Sequence, residues 1–331
     1  MKNNGQNKVL ITTVPFGQYD NYPIELLEIN NIQYDINPLG RRLKEDELAE
    51  MISDYSILIA GTEPITEGVL NKASKLKLIS RVGIGLDNIN LLVAKENSII
   101  VSYTPDAPAP AVGELTIGLM LSTLRHIHLS NMKVHQELWQ RYSGFRLSEL
   151  TVGIIGVGRI GTKVINHLQG FDCNKILVND ITEDIILPDF ENIEFSEKEK
   201  IYREADIISL HLPLTLDTLN LITKDEISYM KSNAILINTS RGGIINEGDL
   251  CDALKSSRIY AAAVDTFVDE PYSGKLIGLD NCLLTAHMGS MTSDCRASME
   301  IQATEEVVRY INNAALLGMV PDSEFFNQKA I

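Results

Sequence analysis

The stretch Thr151-Val152-Gly153-Ile154-Ile155-Gly156-Val157-Gly158-Arg159-Ile160-Gly161 constrains this chain more than any other. The apolar run from Thr151 to Ile155 predicts a buried strand. It breaks into Gly156-x-Gly158-x-x-Gly161, and Val164, Ile165 and Leu168 then fall at helical spacing. In a dinucleotide-binding turn the first glycine permits the tight bend. The second lets the backbone approach a pyrophosphate, and the third lets helix and strand pack closely. The N–H groups and dipole of the helix start then attract the phosphates. Three glycines alone are a weak signal, because other α/β domains carry glycine-rich turns. Here a second apolar run, Lys175 to Asn179, ends in Asp180, about twenty residues past Gly161, where an acid is expected to bind the ribose hydroxyls. Strand, turn, helix and acid together favour the dinucleotide reading.

Around this stretch, strand-like and helix-like segments alternate. Strands are predicted at Val9–Val14, Ile32–Ile36, Ser56–Ala60, Leu78–Val82 and Ser98–Tyr103. Helices are predicted at Pro23–Asn30, at Leu43–Ile52 and after Thr66, an N-cap candidate. Thr104-Pro105-Asp106-Ala107-Pro108-Ala109-Pro110 then marks a connection between domains. One long apolar helix is predicted from near Ala111 past Leu129, with Glu114 inside it as a buried acid or a partner for nearby backbone. A second series has six strands, near Val152–Ile155, Lys175–Asn179, Ile207–Leu210, Ala234–Asn238, Ala261–Val264 and Cys282–Leu284. A helix near Thr292–Asn312 and a polar tail close the chain. Such alternation with short connections means α/β architecture, with parallel sheets covered by helices.

The 331 residues suit about two domains. A net charge of −15 argues against nucleic acid or an anionic membrane as partner, although a local arginine cluster can still hold a small anion. No apolar run approaches bilayer length. Met1 to Lys8 is polar, so no secretory leader is expected, and the protein reads as cytoplasmic. Cys173, Cys251, Cys282 and Cys295 fall in no CxxC pair or Cys/His spacing; they read as reduced thiols, and no metal is expected.

Ligands of open α/β sheets bind beyond the carboxyl ends of the strands. His211, Arg241, Asp265 and His287 each follow a predicted strand of the second series, and Glu270-Pro271 lies just past Asp265. Each has a plain structural explanation: a satisfied histidine, a surface ion pair, a turn. Their joint occurrence beside a nucleotide turn favours a catalytic cluster. His126, His128, His135 and His167 sit in polar helical patterns and are expected in solvent.

Several of these segments also carry a resemblance. Gly83-Ile84-Gly85-Leu86-Asp87-Asn88, the Gly156–Gly161 turn and Leu210-His211-Leu212-Pro213-Leu214-Thr215 are followed by Asn238-Thr239-Ser240-Arg241-Gly242-Gly243, by Asp265 through Glu270-Pro271, and by His287-Met288-Gly289-Ser290. In this order, over nearly the whole chain, they resemble the D-isomer-specific 2-hydroxyacid dehydrogenases. The resemblance implies two Rossmann-like or flavodoxin-like doubly wound parallel-sheet domains with a cleft between them. Residues 1–103 plus 291–331 would form a discontinuous substrate domain, and 104–290 the NAD-binding domain. It implies catalytic Arg241, Glu270 and His287. Cofactor contacts are implied at Gly156, Gly158, Arg159, Ile160, Gly161, Asp180, His211, Pro213, Thr218, Thr239, Asp265 and Gly289. Substrate contacts are implied at Arg81, Val82, Gly83, Arg141 and Arg241, with the N–H groups of Val82 and Gly83 holding a carboxylate. The family is usually dimeric or larger, and the long helix after Pro110 is a candidate dimer face.

These roles have a physical basis. Reducing a 2-oxo acid puts a hydride on the carbonyl carbon and a proton on its oxygen, and an imidazole can give that proton near neutral pH. A carboxylate beside it fixes the ring and favours imidazolium. An arginine fork can polarise the carbonyl and bind the carboxylate. Asp180 is followed by Ile181-Thr182-Glu183-Asp184 with no arginine, which favours NAD over NADP. Within the family, Thr62-Glu63-Pro64-Ile65-Thr66 and Ser80-Arg81-Val82-Gly83 most resemble phosphoglycerate dehydrogenases. Arg81 and Arg141 stand where those enzymes place arginines for a phosphate, whereas Ala60 stands where some carry a further arginine. The favoured pair is therefore D-3-phosphoglycerate/3-phosphohydroxypyruvate. The alternatives are a reductase for hydroxypyruvate, glyoxylate or another 2-oxo acid, and a non-catalytic NADH-sensing scaffold, which the intact Arg241/Glu270/His287 set disfavours. No C-terminal regulatory extension follows, so control by serine through one is not expected.

Overall fold

The computed structural model describes residues 7–182, 185 and 190–328. Met1 to Gln6 of the polar N-terminus, and Glu183 and Asp184 after Asp180, lie outside the described residues. In chain order the first elements are β1 (Lys8–Ile11), α1 (Tyr22–Ile29), β2 (Gln33–Ile36), α2 (Glu45–Met51), β3 (Ile57–Ala60), α3 (Glu67–Lys72), β4 (Leu78–Arg81), α4 (Leu91–Glu96) and β5 (Ile100–Tyr103). There follow α5 (Pro108–Arg125), α6 (Ile127–His135), β6 (Thr151–Ile155), α7 (Arg159–Gln169), β7 (Lys175–Asn179), β8 (Ile193–Phe195), α8 (Lys198–Glu204) and β9 (Ile207–Leu210). The last are α9 (Lys224–Tyr229), β10 (Ile235–Asn238), α10 (Glu247–Lys255), β11 (Ala261–Val264), β12 (Cys282–Leu284), α11 (Ser293–Ile311) and α12 (Asp322–Gln328). The chain divides into two compact units, Met1–Pro108 with Met291–Ile331, and Ala109–Ser290.

The first unit holds a parallel sheet in the order β2-β1-β3-β4-β5. Ile57 to Ala60 of β3 are buried at every position, as parallel strands covered on both faces must be. Truncating one of these side chains, as in Leu58→Ala, would leave a cavity and cost about 2–5 kcal/mol. The edge strand β2 is mixed and largely exposed, which discourages pairing with another chain. α11 buries Cys295, Met299, Ala303 and Val307. It packs on α1 and β4 and accepts a hydrogen bond from Ser80 Oγ at the Ala303 carbonyl, 2.8 Å away.

The second unit holds a parallel sheet in the order β12-β11-β10-β9-β6-β7-β8. β6, its first strand in the chain, lies between β7 and β9, where the direction of winding reverses. In the first unit β1 has the same place between β2 and β3. Such reversal points are where open α/β sheets bind ligands. Both sheets are of the doubly wound parallel type.

Several expectations need correction. The long helix after Pro110 begins at Pro108, because prolines are tolerated in a first turn whose N–H groups lack partners anyway. It also breaks at His126, which takes a left-handed conformation (φ 52°) between α5 and α6. Glu114 is exposed rather than buried. His126 is not solvated: its Nε2 lies 2.7 Å from Tyr260 Oη, its ring 5.3 Å from that of Tyr142, and burial lowers its pKa. Both ring nitrogens of His128 are buried without a hydrogen bond. β8 adds a seventh strand to the second sheet, and the polar tail contains α12. All four cysteines are free and buried. Burial pushes the Cys282 thiol up to about 12.

Candidate active site

At the end of β6 the chain bends through Gly156, whose φ of +94° lies in the region glycine favours. A Cβ there would sit 2.3 Å from the His211 carbonyl oxygen, and one on Gly161 2.0 Å from the Gly156 carbonyl oxygen. Both positions therefore exclude any side chain. At Gly158 a Cβ would meet nothing within 4 Å, so the space above the turn is open. Gly158 is the N-cap of α7 and supplies no side-chain cap, which leaves the positive end of the helix dipole for an anion. Asp180 Oδ2 accepts the Val157 N–H at 2.7 Å and Oδ1 the Thr182 N–H at 3.1 Å. Each carboxylate oxygen keeps a lone pair, and the residue is half-buried. An open glycine cradle, an uncapped helix start and a flanking acid fit a dinucleotide.

The other predicted cofactor residues surround this turn or knit their own loops. His211 Nε2 lies 2.9 Å from Ser209 Oγ, while Nδ1 is sealed from solvent without a partner. Desolvation pushes the imidazole down to about 3, so it is neutral near pH 7 and no reservoir of protons. Thr218 Oγ1 donates to the Pro213 carbonyl at 2.6 Å and accepts the Thr215 N–H at 2.7 Å. Thr239 is buried, with its hydroxyl 2.9 Å from that of Thr116 on α5. Ile160 packs against the core under β6. Arg159 follows Gly158 as the first residue of α7.

Arg241 follows β10 in a turn held by Asn238. The Asn238 carbonyl oxygen Oδ1 accepts Ser240 N and Oγ at 3.0 and 2.7 Å, and Nδ2 donates to the Arg241 carbonyl at 2.8 Å. Arg241 Nη1 donates to the Ser240 carbonyl at 2.6 Å. A Cβ on Gly242 would fall 2.0 Å from the Phe267 carbonyl carbon, so glycine there lets the Arg241 turn abut the Phe267–Glu270 segment. Glu270 Oε1 accepts the Phe267 N–H at 3.1 Å. Its two oxygens lie 3.0 and 2.9 Å from His287 Nδ1. The His287 side chain is 41% exposed and that of Glu270 27%. The His287 Nε2 makes no hydrogen bond among the described residues.

Asp265, expected against the cofactor, has another use. It is fully buried and accepts Thr285 Oγ1 at 2.6 Å, Met288 N at 2.7 Å and Gly289 N at 2.9 Å. Its carbonyl accepts His287 N at 2.8 Å. It thus holds the loop that carries His287.

In the first unit, the expected carboxylate donors are not available. Val82 N–H continues the sheet ladder to the Ala60 carbonyl at 2.9 Å, and Gly83 N–H donates to Thr104 Oγ1 at 2.7 Å. The following amides, Ile84 and Gly85, make no such bond among the described residues. Arg81 is 6% exposed and donates through Nη1 to the Val82 carbonyl, bracing the turn. It lines a cleft of about 70 Å³ at the β1/β3 reversal, with Thr12, Thr13, Glu63, Arg42 and Arg296. Sequence reasoning missed Arg42 and Arg296, because neither lies in a recognisable motif. Arg141 is exposed in the coil after α6, in the second unit. Among the described residues no group of three or more His, Cys, Asp or Glu side chains is arranged to hold a metal ion, and no helix is long and apolar enough to cross a membrane.

Sheet order, glycine cradle and acid define a dinucleotide-binding protein of the doubly wound α/β class. Comparison with known proteins narrows this. The NAD-binding domain of the D-isomer specific 2-hydroxyacid dehydrogenases matches residues 117–289. Hydroxypyruvate reductase of Thermotoga maritima is 34% identical over 282 residues, 83% of this chain and 91% of its own length. D-3-phosphoglycerate dehydrogenase of Methanocaldococcus jannaschii is 37% identical over 279 residues, 81% of this chain but only 52% of its own length. The chain thus spans about half the length of that relative. The crystal structure of TT0316 protein from Thermus thermophilus superposes with a TM-score of 0.85 at 27% identity, covering 95% of this chain and 100% of that one. The chain belongs to the D-isomer specific 2-hydroxyacid dehydrogenase family and is an NAD-dependent oxidoreductase.

Proposed function

We propose that this enzyme interconverts D-3-phosphoglycerate and 3-phosphohydroxypyruvate, with Arg241, Glu270 and His287 as catalytic residues. The observation that carries the reading is the two-oxygen contact of Glu270 with His287 Nδ1, beside an uncommitted Nε2. Glu270 fixes the ring and tautomer, which leaves Nε2 as the nitrogen that gives a proton to the carbonyl oxygen. Arg241 presents its planar fork to the carbonyl and carboxylate oxygens. NADH, when bound at the glycine turn, supplies the hydride. Arg81, lining the cleft of the first unit, supports a phosphorylated substrate.

A second reading, reduction of hydroxypyruvate or glyoxylate, draws on the hydroxypyruvate reductase matched over nine-tenths of its length. NADH oxidation with 3-phosphohydroxypyruvate, hydroxypyruvate, glyoxylate and pyruvate decides between them. The highest kcat/KM with the phosphorylated acid supports the first. Turnover of none, despite tight NADH binding, refutes both. The four free thiols fit a cytoplasmic enzyme. Exposed Ile127, Met132, Val134, Leu138 and Trp139 on and after α6 fit a homo-oligomer. An active monomer on gel filtration would contradict the latter.

A further inference from the structure

We propose that Arg42 and Arg296 seat a phosphate ester at the far end of the substrate, and that Arg42 sets the preference for it. This rests on the phosphorylated-acid reading above and assigns it residues.

The cleft lies at the β1/β3 reversal of the first sheet, where a doubly wound fold offers a crevice. Its volume of about 70 Å³ is far below the several hundred of a drug-sized pocket, so it suits one compact group and not a nucleotide. Arg296 is 7% exposed and reaches the cleft from α11. Its hydrogen bonds all leave from Nη2: to Thr13 Oγ1 at 3.4 Å, the Pro15 carbonyl at 2.8 Å and Glu300 Oε1 at 2.9 Å. Its Nε is buried with no partner. A buried guanidinium with an unspent donor costs stability unless something accepts from it.

Arg42 stands at the exposed rim. Its neighbour Arg41 is clamped by Glu47 through two bonds of 2.9 and 2.6 Å. Arg42 makes no ion pair among the described residues, although the chain carries 44 acidic residues against 29 basic ones. Glu63 also lines the cleft, but its carboxylate is occupied by Thr12 Oγ1 and the Gly61 N–H. Of the carboxylates nearby, Glu63 is thus taken, and among the described residues the Glu300 carboxylate accepts only from Arg296 Nη2 and the Gly17 N–H. A guanidinium without an ion pair at the rim and an unspent Nε inside favour an anion over the hydroxymethyl or methyl group of an unphosphorylated acid. Guanidinium forks match phosphate oxygens in two-pronged geometry.

The test compares parent, Arg42→Ala, Arg42→Lys and Arg41→Ala. Removing one charge-assisted contact should lower kcat/KM for 3-phosphohydroxypyruvate roughly 10- to 100-fold, chiefly through KM. The loss for hydroxypyruvate should be at least tenfold smaller, Arg42→Lys should recover part, and Arg41→Ala should match the parent. Independently, inorganic phosphate with NADH saturating should raise the melting temperature of the parent but not of Arg42→Ala. If no acid is turned over, the dehydrogenase reading falls while this phosphate effect still judges the cleft. Equal losses for both acids, or a phosphate effect that survives Arg42→Ala, overturn the proposal. Arg42-dependent preference for a dicarboxylic 2-oxo acid overturns it in favour of a distal carboxylate.

Discussion

Replacing Asp265 by Asn probes how the proposed proton donor is held. The buried carboxylate takes two donors on Oδ1, Thr285 Oγ1 and Met288 N, and one on Oδ2, Gly289 N. An asparagine can present only one oxygen. With that oxygen at the Oδ1 position, its NH₂ faces the Gly289 N–H, donor against donor. A lost hydrogen bond to a charged group is worth about 1.5–3 kcal/mol and a stranded buried N–H about 1–3 kcal/mol, and these overlap, so roughly 2–4 kcal/mol falls on this loop. At 1.4 kcal/mol per tenfold, the open loop becomes about 30- to 700-fold more populated. Hydrogen exchange at Met288 and Gly289 should accelerate in that range. Turnover should fall while NADH affinity changes less, because the glycine turn at Gly156–Gly161 lies on other strands of the sheet. Exchange within threefold of the parent, with full turnover, would refute the claim that Asp265 positions this loop.

His287→Ala should lower turnover about 10²–10⁴-fold with little change in NADH affinity. Glu270→Gln should lower turnover less than His287→Ala, because the ring keeps its Nε2 but loses the carboxylate that fixes its orientation; parental turnover in both variants would reject the assignment. Asp180→Ser should relax the preference for NAD by removing repulsion of a 2′-phosphate, and a parent equally efficient with both cofactors would contradict it. Lys175, with Lys200, holds Glu194 at about 2 rather than 4.5, and Arg41, with the Lys44 backbone, does the same for Glu47. A carboxyl with a lowered folded-state pKa contributes stability that is complete above about 4.5 and lost as pH falls toward 2. Urea unfolding should therefore weaken across that window, less steeply in Lys175→Met, and identical slopes would refute the coupling.

The sheets are legible in the sequence because parallel strands buried on both faces leave continuous apolar runs, as at Ile57 to Ala60 and Ile235 to Leu236 to Ile237. β8 is not legible for the same reason: three half-buried or exposed residues, Ile193 to Phe195, leave no run. At the break, His126 meets Tyr260, more than a hundred residues away, a contact that no local pattern marks. Thr292 as N-cap of α11 could be expected, because an N-cap acts within its own turn; its hydroxyl accepts Cys295 N at 3.4 Å.

The proposed site divides along the same line between local and assembled. Gly156, Arg241, Glu270 and His287 each sit at or just beyond a strand end, where one rule of the fold places ligand-facing groups, and motif order brings them into view together. Whether a donor is still available is decided elsewhere. Val82 N–H looks available in Arg81-Val82-Gly83 until the ladder to Ala60 is traced, and Gly83 N–H is taken by Thr104 Oγ1, twenty-one residues on. Conversely, Ala60 lacks the arginine that some phosphoglycerate dehydrogenases carry there, which reads from sequence as a weakened phosphate site. The cleft draws its charge from other elements, Arg42 after β2 and Arg296 on α11, a helix that returns to the first unit from the far end of the chain. A cleft's charge is a sum over everything folded around it. A missing residue in one motif therefore bears on which element supplies that charge, and only the tally of donors left unspent bears on whether an anion is held.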